Sequence, residues 1–386
     1  MRYLLGGYYG MRNAGDDVLL YVTLAEVARV DPEASFTVIS ELPEAIPAGT
    51  RVTITPGSRR FETIRQLMAH DVWLFGGGGL LQDGAERSRQ YLHRLDQIAR
   101  VAKLMRRKIL MLGIGIGPLT TAAGRTAAAG LLRQADLVTV RDEESRALAA
   151  QLAPTAVVHL AGDLAFLLPR HTNARTTAGG SGPKTLGISL LPYGASIGRS
   201  HDEDQLLAAT LAKAVNQAMV THPDWRVTLF EFFSGSQEYG DASVLRSLQS
   251  QLVAPERVAY RSYTGDFEAL YADLAACSAF VGMRFHSCLL AHLAEVPCLM
   301  IPYHPKSESL ARRLQLGADA VAAMPVTQDA AALTARLDAL LSDGDKFRPS
   351  VRLDTMAGGS AKTFELLTEW LHRRRADTMF RSRRTR

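Results

Sequence analysis

Val72-Trp73-Leu74-Phe75-Gly76-Gly77-Gly78-Gly79 decides the fold: an apolar run ends in four glycines and continues as Leu80-Leu81-Gln82-Asp83. A short run with no polar alternation reads as a strand covered on both faces, the habit of parallel sheets. Four glycines at a strand's carboxyl end cost backbone entropy, which close packing or an approaching ligand must offset. Their position favours a phosphate or carboxylate site. No Lys-Ser/Thr follows, so this is not a Walker-type nucleotide loop.

Outward from that strand, short β-rich runs alternate with longer amphipathic ones. The first half offers strands at 3–5, 36–39, 52–55, 72–75, 109–112, 137–140 and 157–160. Helical patterns lie between them near 16–29, 60–70, 86–106, 122–135 and 143–152. A second series offers strands at 185–190, 227–231, 257–260, 279–282 and 298–301. The alternation predicts an α/β chain of two Rossmann-like domains facing across a cleft. A Thr-, Gly- and Ser-rich stretch over 170–184 breaks the rhythm as a linker, dividing a domain over 1–169 from one over 185–357. Phe364, Leu367, Trp370 and Leu371 then fall at helical spacing. A helix over 358–376 either packs on its own domain or crosses back to the first, as in glycosyltransferase-B-like architectures, and a basic tail over 377–386 follows.

With 386 residues, 47% hydrophobic and 22% charged, the composition is that of a globular protein of two domains. No apolar run reaches the roughly 18–20 residues that span a bilayer. The opening Met1-Arg2-Tyr3-Leu4-Leu5-Gly6-Gly7 breaks into glycines too early for a signal peptide. Cys277, Cys288 and Cys298 lack CxxC spacing and sit among apolar residues, as buried thiols of a reducing cytoplasm would. The net charge of +5 includes a tail with Arg373-Arg374-Arg375, Arg381, Arg383, Arg384 and Arg386. That tail is either a solvated end or a means of holding the chain at an anionic membrane surface. It lacks the interleaved aromatics of a nucleic-acid site.

Ligands of open α/β sheets bind beyond the carboxyl ends of the strands. After the first strand, Gly6-Gly7-Tyr8-Tyr9-Gly10-Met11-Arg12-Asn13-Ala14-Gly15-Asp16-Asp17 lets N–H groups approach an anion at a helix start. It is not GxGxxG, and Asp16 and Asp17 either contact a ligand or cap that helix. Gly113-Ile114-Gly115-Ile116-Gly117-Pro118 reads mainly as a turn into a helix. In Arg141-Asp142-Glu143-Glu144-Ser145, Asp142 suits a cap, and Arg141 either faces the cleft or pairs with a carboxylate.

The sharpest constellation lies in the second half. The apolar run Ala279-Phe280-Val281-Gly282-Met283 passes directly into Arg284-Phe285-His286-Ser287. A guanidinium fork suits phosphate or carboxylate, and an imidazole two residues on titrates near neutrality. A lone histidine would be structural, but this pair at a strand-to-helix switch is a functional candidate. Pro302-Tyr303-His304-Pro305-Lys306 ends the next strand and adds a cation at the same edge, unless Lys306 is only a surface lysine.

These motifs together resemble the polysaccharide pyruvyl transferase family, and within it the CsaB-like bacterial branch that pyruvylates cell-wall polysaccharide. The matching positions are Gly7-Tyr8-Tyr9-Gly10, Asn13, Gly15-Asp16, Gly77-Gly78-Gly79-Leu80, Gln82-Asp83, Gly113, Gly115, Gly117-Pro118 and Arg141-Asp142 with Ser145. Gly162-Asp163, Ala165-Phe166, Met283-Arg284-Phe285-His286-Ser287, Tyr303 and Lys306 complete them, so the likeness runs from the first strand to about Gly317. Gly84-Ala85-Glu86-Arg87-Ser88-Arg89 departs from the branch's Thr-Ser-Arg-type run, which bears on the acceptor.

The resemblance implies transfer of the pyruvyl group of phosphoenolpyruvate onto a sugar diol of a polysaccharide or its lipid-linked precursor, giving a cyclic ketal and phosphate. It implies no cofactor and no metal. Arg284, Lys306, Ser287, Gly77, Gly78 and Gly79 would then bind the donor. Tyr9, Asn13, Gln82 and Arg141 would face the saccharide acceptor. His286 would act as acid, and Asp16 or Asp83 as base. The enzyme would work in the cytoplasm, at the inner membrane face if the acceptor is lipid-linked, with no nucleic-acid partner; a homo-oligomer is left open. A nucleotide-sugar glycosyltransferase of the same fold is the alternative, with Glu295 as its ribose contact, and a non-enzymatic sugar-binding protein is a third reading.

Overall fold

The computed structural model describes the chain apart from residues 41–49, 57–59, 85, 173–182, 197–199, 237–239, 327–328 and 385–386. Most of the expected linker therefore lies outside the described residues. The chain forms two units: one holds Met1–Gly10, Asp16–His171 and Asp354–Arg386, the other Met11–Gly15 and Thr172–Leu353.

In the first unit the order is β1 (Arg2–Leu5), α1 (Ala14–Val30), β2 (Ser35–Ile39), β3 (Val52–Thr55), α2 (Arg60–Ala69), β4 (Val72–Gly76) and α3 (Glu86–Leu104). Then come β5 (Lys108–Ile114), α4 (Ala122–Gln134), β6 (Leu137–Val140), α5 (Glu143–Leu152) and β7 (Val158–Leu160). The strands lie in the order β3-β2-β1-β4-β5-β6-β7, all parallel, and the winding reverses between β1 and β4. The quoted run Val72–Gly76 is this central strand, buried throughout between β1 and β5.

The second unit contains β8 (Lys184–Ser189), α6 (Tyr193–Ser196), α7 (His201–Thr221), β9 (Trp225–Phe230), α8 (Ala242–Gln249), β10 (Val258–Arg261) and α9 (Phe267–Ala275). It continues with β11 (Ala279–Gly282), α10 (Phe285–Leu293), β12 (Cys298–Met300), α11 (Pro305–Arg313) and α12 (Ala330–Ser342). Its parallel sheet runs β10-β9-β8-β11-β12 and reverses between β8 and β11. Leu186, Ile188, Leu229, Val281 and Leu299 form its core with residues of α7 and α12. Both units are parallel-sheet α/β domains.

The last helix, α13 (Leu353–Arg384), resolves the choice left by the sequence. Its apolar stripe, Phe364, Leu367, Trp370 and Leu371, is buried within the first unit. Ser360 donates its hydroxyl to the Asp163 carbonyl at 2.7 Å, and the Thr363 and Thr139 hydroxyls meet at 3.1 Å. Arg375 reaches the buried Asp31 at 3.0 Å, a carboxylate that also accepts from the Met1 amine and the Tyr3 hydroxyl. The backbone stays helical through most of the expected tail, because its arginines are good helix formers and no proline interrupts them. Among the described residues, no helix is long and apolar enough to cross a membrane.

Candidate active site

The carboxyl ends of β8 and β11 mark the switch point of the second sheet, where ligands of such sheets bind. Arg284 stands there as the N-cap residue of α10. Its guanidinium makes a two-pronged contact with Asp241, its Nε lying 2.7 and 2.9 Å from the two carboxylate oxygens. Asp241 is completely buried, and one of its oxygens also accepts the N–H groups of Phe232 and Phe233 at 2.9 and 3.0 Å. Burial pushes the Asp241 carboxyl above its ordinary range, against the pull of Arg284 and those two N–H groups. The Phe233 ring lies 5.3 Å from the guanidinium and further fixes its plane. The fork is thus oriented before any ligand arrives.

Asp241 was not foreseen from the sequence. It sits beside Gly240 at the start of α8, where an aspartate suggests a helix cap, yet it makes no side-chain cap bond. A second buried carboxyl, Glu231, follows β9. Burial raises it above its ordinary range, and the neighbouring charge of Asp241 adds to the shift, while Ser262 opposes it by hydrogen bonding.

His286 lies in the first turn of α10 and packs on the Met11–Gly15 segment, which clusters with this unit. That approach requires Gly15 to be glycine, since a Cβ there would stand 2.3 Å from the His286 Nδ1. The segment is held by Ala14 N–H to the Phe232 carbonyl at 2.9 Å, and Asn13 accepts the Gly15 N–H at 3.1 Å. The other histidine of α10, His292, is fully buried and pushed down to about 3 by burial. It is therefore neutral at ordinary pH and lacks the imidazolium proton of a general acid.

Ser287 is buried and donates its hydroxyl to the Arg284 carbonyl at 2.9 Å, which makes it a brace for the turn. Tyr303 and Lys306 follow β12, the parallel neighbour of β11. Burial raises the Tyr303 hydroxyl above its ordinary value, and Arg284 and Asp241 are both close enough to act on it. His304 caps α11 by accepting the Lys306 N–H at 3.2 Å. The structure thus gathers Asn13, Arg284, His286, Ser287 and Lys306 in one unit.

Tyr9, Asp16, Gly77, Gly78, Gly79, Gln82, Asp83 and Arg141 belong to the first unit. The glycine loop prolongs the β4–β5 pairing: Gly77 N–H bonds to the Leu112 carbonyl at 2.7 Å, and Gly115 N–H to the Gly78 carbonyl at 2.8 Å. Gly77 and Gly78 need glycine for positive φ values of 72° and 81°. With its N–H already engaged, Gly77 is corrected from an anion donor to a packing residue. Asp16, half-buried in the first turn of α1, would stand 3.4 Å from a Cβ on Gly78.

Three further expectations change in the same way. Asp83 accepts from the N–H and hydroxyl of Thr120 at 2.5 and 3.0 Å, and from those of Thr121 at 2.8 and 2.6 Å. Burial alone would raise this carboxyl, but those four donors outweigh it and hold it below the carboxylate range. A carboxylate so saturated is a structural clamp rather than a base. Arg141 is buried against Asp163 at 3.0 Å and Asp142 at 3.2 Å, the pairing its sequence allowed. Tyr9 is buried with its hydroxyl donated to the Gly76 carbonyl at 2.9 Å, so its polar end faces the glycine loop.

A family model described as polysaccharide pyruvyl transferase matches residues 13–305, from Asn13 of the site to Pro305 at the start of α11. The chain belongs to the polysaccharide pyruvyl transferase family. Its members are transferases acting on polysaccharide, and the matched span contains Arg284, His286 and Asp241. No curated protein matches the chain. Among solved structures, a UDP-GlcNAc 2-epimerase from Methanocaldococcus jannaschii is similar at 10% identity, with TM-score 0.60 over 95% of this chain and 99% of that one. An S. aureus MnaA–UDP structure is similar at 9% identity and TM-score 0.60, covering 93% and 91%. Anabaena HepE, solved with UDP and glucose, gives 13% identity and TM-score 0.52, covering 98% of each chain. These likenesses establish a glycosyltransferase-B-like fold for this pyruvyl transferase family member and nothing about its ligand.

Proposed function

We propose that the chain transfers the pyruvyl group of phosphoenolpyruvate to two hydroxyls of a cell-wall or extracellular saccharide, free or lipid-linked. The observation that carries this reading is the Arg284 fork, oriented by buried Asp241 beside His286. Arg284 and Lys306 neutralise the donor's phosphate and carboxylate. His286 protonates the methylene carbon, which becomes the methyl group, and leaves an oxocarbenium-like carbon for the first hydroxyl to attack. The carbon–oxygen bond to phosphate then breaks as the second hydroxyl closes the ketal. Of the two hydroxyl protons, one replaces that given by His286 and the other leaves with phosphate. With Asp83 clamped, Asp16 is the proposed base; it directly follows Gly15 in the chain.

The donor in the glycosyltransferase reading would need a ribose contact. Glu295, the residue offered for it, lies beyond the C-terminal end of α10, at the opposite end of that helix from Arg284. Incubation with phosphoenolpyruvate and candidate glycans, read by phosphate release and mass spectrometry, tests the proposal. The expected product carries one pyruvate ketal. Turnover of a nucleotide sugar, with no phosphate from phosphoenolpyruvate, would replace this reading with the glycosyltransferase one.

A further inference from the structure

The first unit carries a feature that neither chemistry nor core packing uses. Residues 86–134 hold ten Lys/Arg and two Asp/Glu, a local charge of +8 in a chain whose whole net charge is +5. These residues form α3, β5 and α4. Along α3, Arg89, His93, Arg100 and Leu104 are exposed and recur at intervals that place them on one outward stripe.

Nearby acids are already engaged. Asp96 pairs with Arg100 at 2.7 Å, and Asp136 with Lys103 and Lys108 at 3.0 and 2.7 Å. Among the described residues, no carboxylate pairs with Arg89 or Arg106. Helix α2 is tied to the end of this stripe, since Arg107 donates to the Met68 carbonyl at 2.8 Å.

Large apolar side chains stand out of the same surface. Phe61 is 86% exposed, Leu104 84% and Met68 55%. Phe61 and Met68 are seven residues apart on α2, so two helical turns bring them to one face. Aliphatic side chains such as Leu104 and Met68 gain nothing from an aqueous polyanion and much from a medium that is anionic at its surface and apolar beneath.

We propose that the outer face of α2 and α3 is a docking surface for an anionic lipid bilayer, with Phe61, Met68 and Leu104 entering the interface and Arg89 and Arg106 meeting the headgroups. The proposal concerns where the chain binds and requires no turnover, so it stands or falls apart from the assigned reaction.

Co-sedimentation of the full chain with vesicles tests it, using phosphatidylcholine alone and phosphatidylcholine mixed with phosphatidylglycerol. The wild type should sediment with the mixed vesicles. Phe61→Ser with Leu104→Ser, and separately Arg89→Glu with Arg106→Glu, should each weaken that binding by roughly tenfold or more. All four side chains are exposed, so circular dichroism should show wild-type folding for both variants. Added salt should weaken the wild type and leave the charge-reversed variant little changed. Failure of the wild type to sediment would overturn the proposal, as would unchanged sedimentation of both folded variants. RNA binding that competes with vesicles and ignores the Phe61→Ser/Leu104→Ser change would also overturn it, in favour of a nucleic-acid surface.

Discussion

At the switch point of the first sheet the chain turns on glycines and directs polar side chains inward, Tyr9 to Gly76 and Asp83 to Thr120 and Thr121, as Arg141 does to Asp163 beyond β6. At that of the second sheet the turn carries Arg284 and His286, with a buried carboxylate set behind the arginine. The first turn is built mainly on glycines, with Asp16 at its edge, and the second presents a guanidinium and an imidazole. A backbone-lined site can accept many hydroxyl-bearing shapes, whereas an oriented guanidinium selects a planar anion. Under the proposed reading the anionic donor would bind the second unit, and the first unit's strong polar bonds would be matters of stability.

The comparison predicts separate kinds of damage. His286→Ala should leave the fold intact and lower turnover by about 10²–10⁴, the usual effect of losing a general acid. Steady-state kinetics with phosphoenolpyruvate measures this, and unchanged turnover would remove His286 from the mechanism. Arg284→Lys keeps the charge but loses the fork held by Asp241. Donor affinity by calorimetry should fall by about tenfold or more. Equal affinity would mean that the fork serves only Asp241.

Asp83→Ala should act in the other direction, costing about 1–3 kcal/mol of stability with little change in donor affinity. Its folded pKa is lowered, so its contribution is complete above the unfolded value near 4 and is lost as pH falls through the folded value. Denaturant unfolding should therefore show the gap between wild type and variant closing in acid. A gap independent of pH would mean that the carboxylate's charge plays no part in the clamp. Deleting residues 378–386 should have the smallest effect, a modest loss of sedimentation with anionic vesicles at low salt and none in activity on a short soluble acceptor. Identical sedimentation of full-length and shortened chains at low salt would make those residues an ordinary solvated end.

The strands were legible because each is a short apolar run that a two-sided layer of helices must cover, and β4 with its glycines showed this most clearly. Arg284 and His286 were legible because strand and turn are contiguous in sequence. Asp241 was hidden because its partner is 43 residues away, and nothing local separates a buried counter-charge from a helix cap. Asp83 misled for the same reason: its position at a strand end suggested chemistry, while Thr120 and Thr121, 37 and 38 residues on, determine its bonds. Sequence spacing finds groups that one turn presents; it does not reveal which of them a distant segment has already engaged.

The helix α13 also has a consequence for the order in which the protein is made. Its Ser360, Thr363 and Arg375 complete bonds to Asp163, Thr139 and Asp31, all of which leave the ribosome far earlier. The residues of Thr172–Leu353 emerge in between, and Met11–Gly15 is already waiting for them. At about 5–20 residues per second, the first sheet stays without its covering helix for roughly ten seconds or more. By the end of that interval the second unit has every segment it needs to fold, so the unit translated second can be complete before the unit whose translation began first.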